Sequence, residues 1–241
     1  MKRLFTATVF MFLLAPCSSA IFAQTESRES LISEFEAKRA ELATIEKKLV
    51  LPADEDHAAF AEFLKQPDTG LIRLLPAEVY DATESSKSLL AINGGGAFYS
   101  FVRLTHDYGQ GSDILLSRGY LSVGFAGTNY GILAQVGNVD LNEISIEHPG
   151  SLFVASYQAA SEEPVARQEK SRFGSGITVD GSKYSNRVKA EVGMSYVLRS
   201  IDYGVSDWLI ALKVVRQDSD GSLIIAWKAL KKFPRPEFAR R

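Results

Sequence analysis

The sequence predicts an α+β fold in which an N-terminal helical segment precedes a mainly antiparallel β-sheet domain, either barrel-like or a sandwich. Residues 27–50, SRESLISEFEAKRAELATIEKKLV, set Leu31, Phe35, Leu42, Ile45 and Leu49 at heptad-like spacing, with Lys38 where another apolar residue would fall. That spacing is helical. From about residue 88 the period changes. Runs such as AFYSFVRL, NYGILAQVG, DWLIALKVVRQ and SLIIAWKAL are rich in β-branched and aromatic residues, and glycine or polar clusters separate them, as in strands. The runs follow one another through short turns, which antiparallel neighbours allow and parallel ones do not.

The chain opens MKRLFTATVFMFLLAPCSSAIFAQ. Lys2 and Arg3 precede an apolar stretch from Leu4 to Leu14, which Pro16 and small residues end. This is the pattern of a secretory signal peptide over residues 1–23. The stretch is well short of the ~20 apolar residues that span a bilayer. Cleavage after Ala20 or after Ala23 fits, and Ala23 is preferred because Gln24 starts a polar chain. Pro16 ahead of Cys17 argues against lipid attachment there. Cleavage would remove the one cysteine, leaving a mature chain without disulfide or thiolate chemistry. It would also remove Lys2 and Arg3, so the 27 basic residues become 25 against 29 acidic ones, a net charge of −4. A mildly acidic chain lacks the basic footprint of a broad nucleic-acid binder. The expectation is an exported protein, periplasmic or secreted, with no transmembrane segment after the signal.

Residues 24–66 form the helical segment. Its first helix either lies on the domain or serves as a partner-binding arm. A second helix is expected over Asp54–Gln66, capped by Asp54, with Ala59, Phe60, Phe63 and Leu64 as its buried face. Residues 67–241 form the β-rich domain, with six to nine strands. AFYSFVRL and DWLIALKVV are apolar on both alternating faces, so both faces should be covered. SLFVASY, Ser151–Tyr157, is read as another strand. In VVRQDSDGSLII, Asp220-Gly221 marks a hairpin. A strict two-residue turn would oppose Lys213 to Lys228, so a longer loop with Gly221 in a bulge competes with it. Residues 158–193 form a polar excursion, in which Ser161 is the expected cap of a short helix and Gly174, Gly176 and Gly181 mark a loop.

The segment AINGGGAFYSF offers three consecutive glycines. A phosphate cradle would need a helix immediately after them. The following residues are strand-like, so Asn93–Gly96 reads as a turn. RLTHDYGQGSD gathers Arg103, His106, Asp107 and Asp113 beside Gly109 and Gly111. A His–Asp pair can serve acid–base chemistry when one orients the other, and here that needs a turn. Arg199 sits on an apolar strand, YVLRSIDY, where a charge needs a partner or bound anion. Arg103, His106, Asp113 and Arg199 are therefore the candidate ligand-binding residues.

His57, His106 and His148 are too dispersed for a metal motif. Asp218–Gly221 resembles part of a calcium loop, but Arg216 and Trp227 stand where oxygen ligands belong. No nucleophile motif, metal or cofactor is indicated. The tail KALKKFPRPEFARR is basic and either solvated or directed at an anionic envelope component. The leading expectation is a non-catalytic binding or accessory module of the cell envelope, with a small molecule or envelope component as partner. A hydrolase using His106, Asp107 and Asp113, and a scaffold acting through helix 27–50, are the alternatives.

Overall fold

The computed structural model describes residues 27–81, 90, 92–109 and 111–239. The expected signal peptide and Cys17 lie outside them, as does part of the run SLLAI. The chain divides into two compact units, residues 1–40 and 41–241, and helix α1, Arg28–Leu49, runs through the boundary.

The second unit is α+β, with antiparallel sheets throughout. After α1 come α2, Asp54–Ala59, a 3-10 turn over Phe63–Lys65, strand β1, Thr69–Leu74, and α3, Ala77–Tyr80. Strands β2, Phe98–Tyr99, β3, Ile114–Ser117, β4, Tyr120–Ser122, and β5, Tyr130–Gly137, follow. Next are α4, Pro149–Ser156, α5, Glu163–Ser175, and the short strands β6, Ile177–Val179, β7, Ser182–Tyr184, and β8, Arg187–Lys189. The chain closes with β9, Ser195–Asp202, β10, Ser206–Gln217, and β11, Leu223–Lys232.

Five strands form the central sheet in the order β1-β11-β10-β9-β5, and four form a facing sheet, β2-β3-β4-β8. Leu198, Ile210, Leu212, Ile225 and Trp227 pack against Tyr99, Phe101, Ile114, Leu116 and Leu121 between the sheets. The other side of the central sheet, Val197, Ile201, Leu209, Ala211 and Ile224, packs on Val154 of α4 and Ala166 and Phe173 of α5. The two-sided alternation expected for β10 is therefore observed, because a sheet covered on both faces must be apolar on both. The sheets share backbone bonds at their margins. Leu133 and Ser185 exchange bonds of 2.7 and 3.0 Å, and Leu75 N–H donates to Gly96 at 3.1 Å.

Several elements differ from the sequence expectation. SLFVASY is a helix. His148 Nδ1 accepts the Gly150 N–H at 3.1 Å and Pro149 occupies the first turn, so the chain is started as a helix there. AFYSFVRL is strand for two residues and then reverses, with Ser100 and Thr105 paired, Leu104 at φ +54°, and Val102 and Leu104 exposed. The second helix stops at Ala59, which is exposed, and Phe63–Lys65 is a 3-10 turn. Its N-cap is Ala53, and Asp56, not Asp54, reaches back to the Ala53 N–H at 3.1 Å. The polar excursion contains α5, whose cap is Glu162 in place of Ser161, and Gly174 lies within that helix. At the β10–β11 hairpin the longer loop is the one formed. The loop register alone takes Lys213 off Lys228, and a bulge at Val215, not at Gly221, sets Lys213 opposite Ala226.

Candidate functional site

Asp113 enters β3 just after the glycine-bearing loop and is 1% exposed. Its Oδ2 accepts the Phe101 N–H at 2.7 Å, which fixes the reversed turn after β2. Its Oδ1 lacks a partner of full hydrogen-bond geometry. Burial pushes the carboxyl up to about 6. The nearby Asp202 charge adds to this, while Ser200, the Phe101 N–H and Ser100 oppose it. Asp202, at the end of β9, accepts from the Asn129 side chain, with the Gly111 N–H and the Arg103 charge close by. Burial raises its pKa as well. Arg103 and Asp113 are thus brought together around Asp202. A cavity of about 40 Å³ adjoins them, lined by Gly111, Asn129, Ser200 and Asp202 among others. It has room for a water or two and is far below the ~300 Å³ of a small-molecule site.

His106 turns elsewhere. Its Nε2–H donates to the Arg73 carbonyl at 2.7 Å, and its ring meets Tyr99 edge-on at 5.0 Å. Desolvation lowers its pKa, with the Arg73 carbonyl and Asp107 opposing. Asp107 is exposed and accepts from the Thr105 hydroxyl at 3.2 Å. Neither carboxylate orients the imidazole.

Arg199 stands apart from all three. Side chains alternate along β9, so Tyr196 and Leu198 enter the inter-sheet core while Val197, Arg199 and Ile201 face the helices. Its Nε and Nη2 hold both Asp207 oxygens at 2.8 Å, and Nη1 donates to the Val154 and Tyr157 carbonyls at 2.7 and 2.6 Å. The Phe233 ring lies 3.6 Å from the guanidinium carbon. The guanidinium fork is filled by the protein itself. Asp207 went unread as its partner because only the β9–β10 register, Asp207 opposite Ile201, sets the two side by side.

The other motifs resolve into structure. Gly94, Gly95 and Gly96 all have positive φ, at 82°, 61° and 75°. The Gly95 N–H goes to Ile92 and the Ala97 N–H to Gly94, and β2 follows in place of a helix. Asp218 is held by Arg73 and Arg216, and Asp220 by Tyr80 and Ser222. In the tail, Lys232 pairs with Asp68 at 2.6 Å, Phe233 lies under Arg199, and Phe238 stacks on Tyr203 at 3.9 Å. Among the described residues, no group of three or more His, Cys, Asp or Glu could hold a metal, and no helix is long and apolar enough to cross a membrane.

The apolar row of α1 is different, because it is not consumed. Leu31, Ile32 and Phe35 in the first unit are exposed, Phe35 at 65%. In the second unit Leu42, Ile45 and Leu49 are exposed too, Ile45 at 50%, while Glu46 and Val50 on the adjacent face are buried. No family model matches the chain, and neither a curated protein nor a solved structure shows significant similarity to it.

Proposed function

We propose that the protein is an exported, non-catalytic binding or accessory module of the cell envelope and that it makes its contact through α1. The observation that carries this reading is the exposure of every apolar position of the α1 heptad row, Leu31, Phe35, Leu42, Ile45 and Leu49. A helix that served its own fold would turn such a row inward, and exposed apolar side chains grouped on a helix mark an interaction site. The candidate polar residues favour no competing site. Arg199 is committed to Asp207, His106 to a backbone carbonyl, and Asp113 to the Phe101 amide. Export rests on the N-terminal residues, and the acidic balance supports a partner other than nucleic acid.

The test is photo-crosslinking in cells that make the protein. A photoreactive residue at Leu42 should give a discrete covalent adduct, and one at Leu104, equally apolar and exposed on the β2–β3 turn, should not. Absence of an adduct from every heptad position of α1 would overturn the reading.

A further inference from the structure

We propose that the turn Phe101–Thr105 is a pH-controlled latch, shut while Asp113 carries a proton and released when Asp113 gives it up. The turn is a strained element on a buried tether. Leu104 sits at φ +54°, a conformation that L side chains adopt at a cost and that gathers in switch segments. Within the turn the Ser100 N–H bonds the Thr105 carbonyl at 2.9 Å and the Leu104 N–H bonds the Ser100 carbonyl at 2.8 Å. The turn is held to the domain by the Phe101 N–H on Asp113 Oδ2 at 2.7 Å, and by the Phe101 ring, edge-on to Tyr99 and Trp227 at 5.4 and 5.0 Å. Val102, Arg103 and Leu104 at its apex are exposed.

The surroundings of Asp113 favour its neutral form. Oδ1 is the oxygen without a partner of full hydrogen-bond geometry, so the proton belongs there, with the Ser200 hydroxyl beside it to accept. Oδ2 goes on accepting the Phe101 N–H. The titratable and charged groups around it come from three elements. Strand β2 supplies Tyr99, whose hydroxyl is pushed up to about 12 by burial and by Asp113 itself. The turn supplies Arg103, beside Asp202, and β9 supplies Asp202. With both acids ionised, two negative charges stand against one guanidinium, and a single proton restores neutrality. The adjoining cavity of about 40 Å³ holds too little water to solvate a carboxylate, so ionised Asp113 gains water by lifting the turn. Behind Tyr99, His106 meets that ring edge-on and Asp107 acts on His106; protonating His106 would loosen the segment at low pH, the opposite sense. Asp113 titrates at about 6 with the turn shut, against an ordinary 3.8. Opening is therefore constant below 3.8, grows as pH rises and levels off above 6, about a hundredfold higher. The inference stands apart from the α1 contact proposed above.

Amide hydrogen exchange of the full exported chain, read by NMR from pH 4 to 7.5 as protection factors, tests this. Asp113→Asn keeps an oxygen for the Phe101 N–H and cannot ionise. Relative to that variant, protection of the wild-type Phe101 and Leu104 amides should fall about a hundredfold across the range, a comparison that cancels His106. At pH 7.5 both amides should also exchange well ahead of Ile225 in β11, because the turn lifts while the sheet stays folded. Asp202→Asn, which removes the neighbouring negative charge, should move the wild-type midpoint to lower pH. Protection in the wild type that follows Asp113→Asn at every pH overturns the inference. So does equal protection of Phe101 and Ile225 throughout, which would mean that the turn opens only with the whole domain. Should Asp113→Asn not fold, the wild-type comparison of Phe101 with Ile225 and the Asp202→Asn midpoint decide the matter.

Discussion

Asp113 and Arg199 are both buried charges with opposite provisions. Arg199 has two carboxylate oxygens and two carbonyls around it, whereas Asp113 has one amide, the Ser200 and Ser100 hydroxyls nearby and a neighbouring acid. Removing Arg199 therefore strands Asp207. Arg199→Leu should cost about 3–5 kcal/mol in urea unfolding, and adding Asp207→Asn should recover a large part of it. Asp113 has the reverse sign. Its folded pKa of about 6 stands above its ordinary 3.8, so its stabilising contribution is complete below 3.8 and lost as pH rises through 6. Asp113→Asn should thus be more stable than wild type at pH 7.5, by up to ~3 kcal/mol, with the advantage vanishing towards pH 4. His106 works in the opposite sense, losing stability as pH falls past its lowered pKa, and the paired comparison cancels it. Unfolding midpoints of both chains across that range would decide the matter. An advantage that grows at low pH would refute the assignment.

Elements were legible where the chain's own pattern decides them. The strands β9, β10 and β11 are long, apolar on both faces and bounded by Gly204 and the Asp218–Ser222 loop, so strand is their one consistent reading. SLFVASY was not legible, because a short apolar run suits a buried helix as well as a strand; the deciding residues, His148, Pro149 and Gly150, lie outside the run. The turn after β2 was hidden more deeply. Leu104 has a left-handed φ with its N–H on the Ser100 carbonyl, while Asp113 captures the Phe101 amide, and no residue of the turn announces this. The glycine turn was readable, and it makes a sharp prediction. A methyl on Gly95 would run into the Tyr80 carbonyl in a positive-φ backbone, so Gly95→Ala should destabilise by more than about 1 kcal/mol in thermal unfolding. By contrast Leu42→Glu and Ile45→Glu, on exposed helix positions, should leave stability within about 0.5 kcal/mol. A large loss there would mean that the row serves the fold after all.

At the scale of the whole molecule, the α+β organisation and the antiparallel sheets followed from composition and period, while the pairing of the two margins did not. Closure depends on which distant strands meet, and one sequence holds no register between them. The candidate site was legible as a list of reactive side chains, but their dispersal across both faces of the central sheet was not. The intact mass of the exported protein should correspond to loss of the first 20 or 23 residues; a chain that retains them would remove the basis for export. The strand order carries one further consequence. Thr69 pairs with Lys228, so the first strand of the central sheet finds its neighbour in the last. The hairpins from β9 to β11 can form as they emerge, but β1 must wait until nearly the whole chain has been made. Contacts of such sequence separation fold slowly, and a chain lacking β11 would leave both cores open. For a protein proposed to leave the cytosol, slow folding is an advantage. The sheet cannot close before synthesis is almost complete, and until then the polypeptide stays threadable.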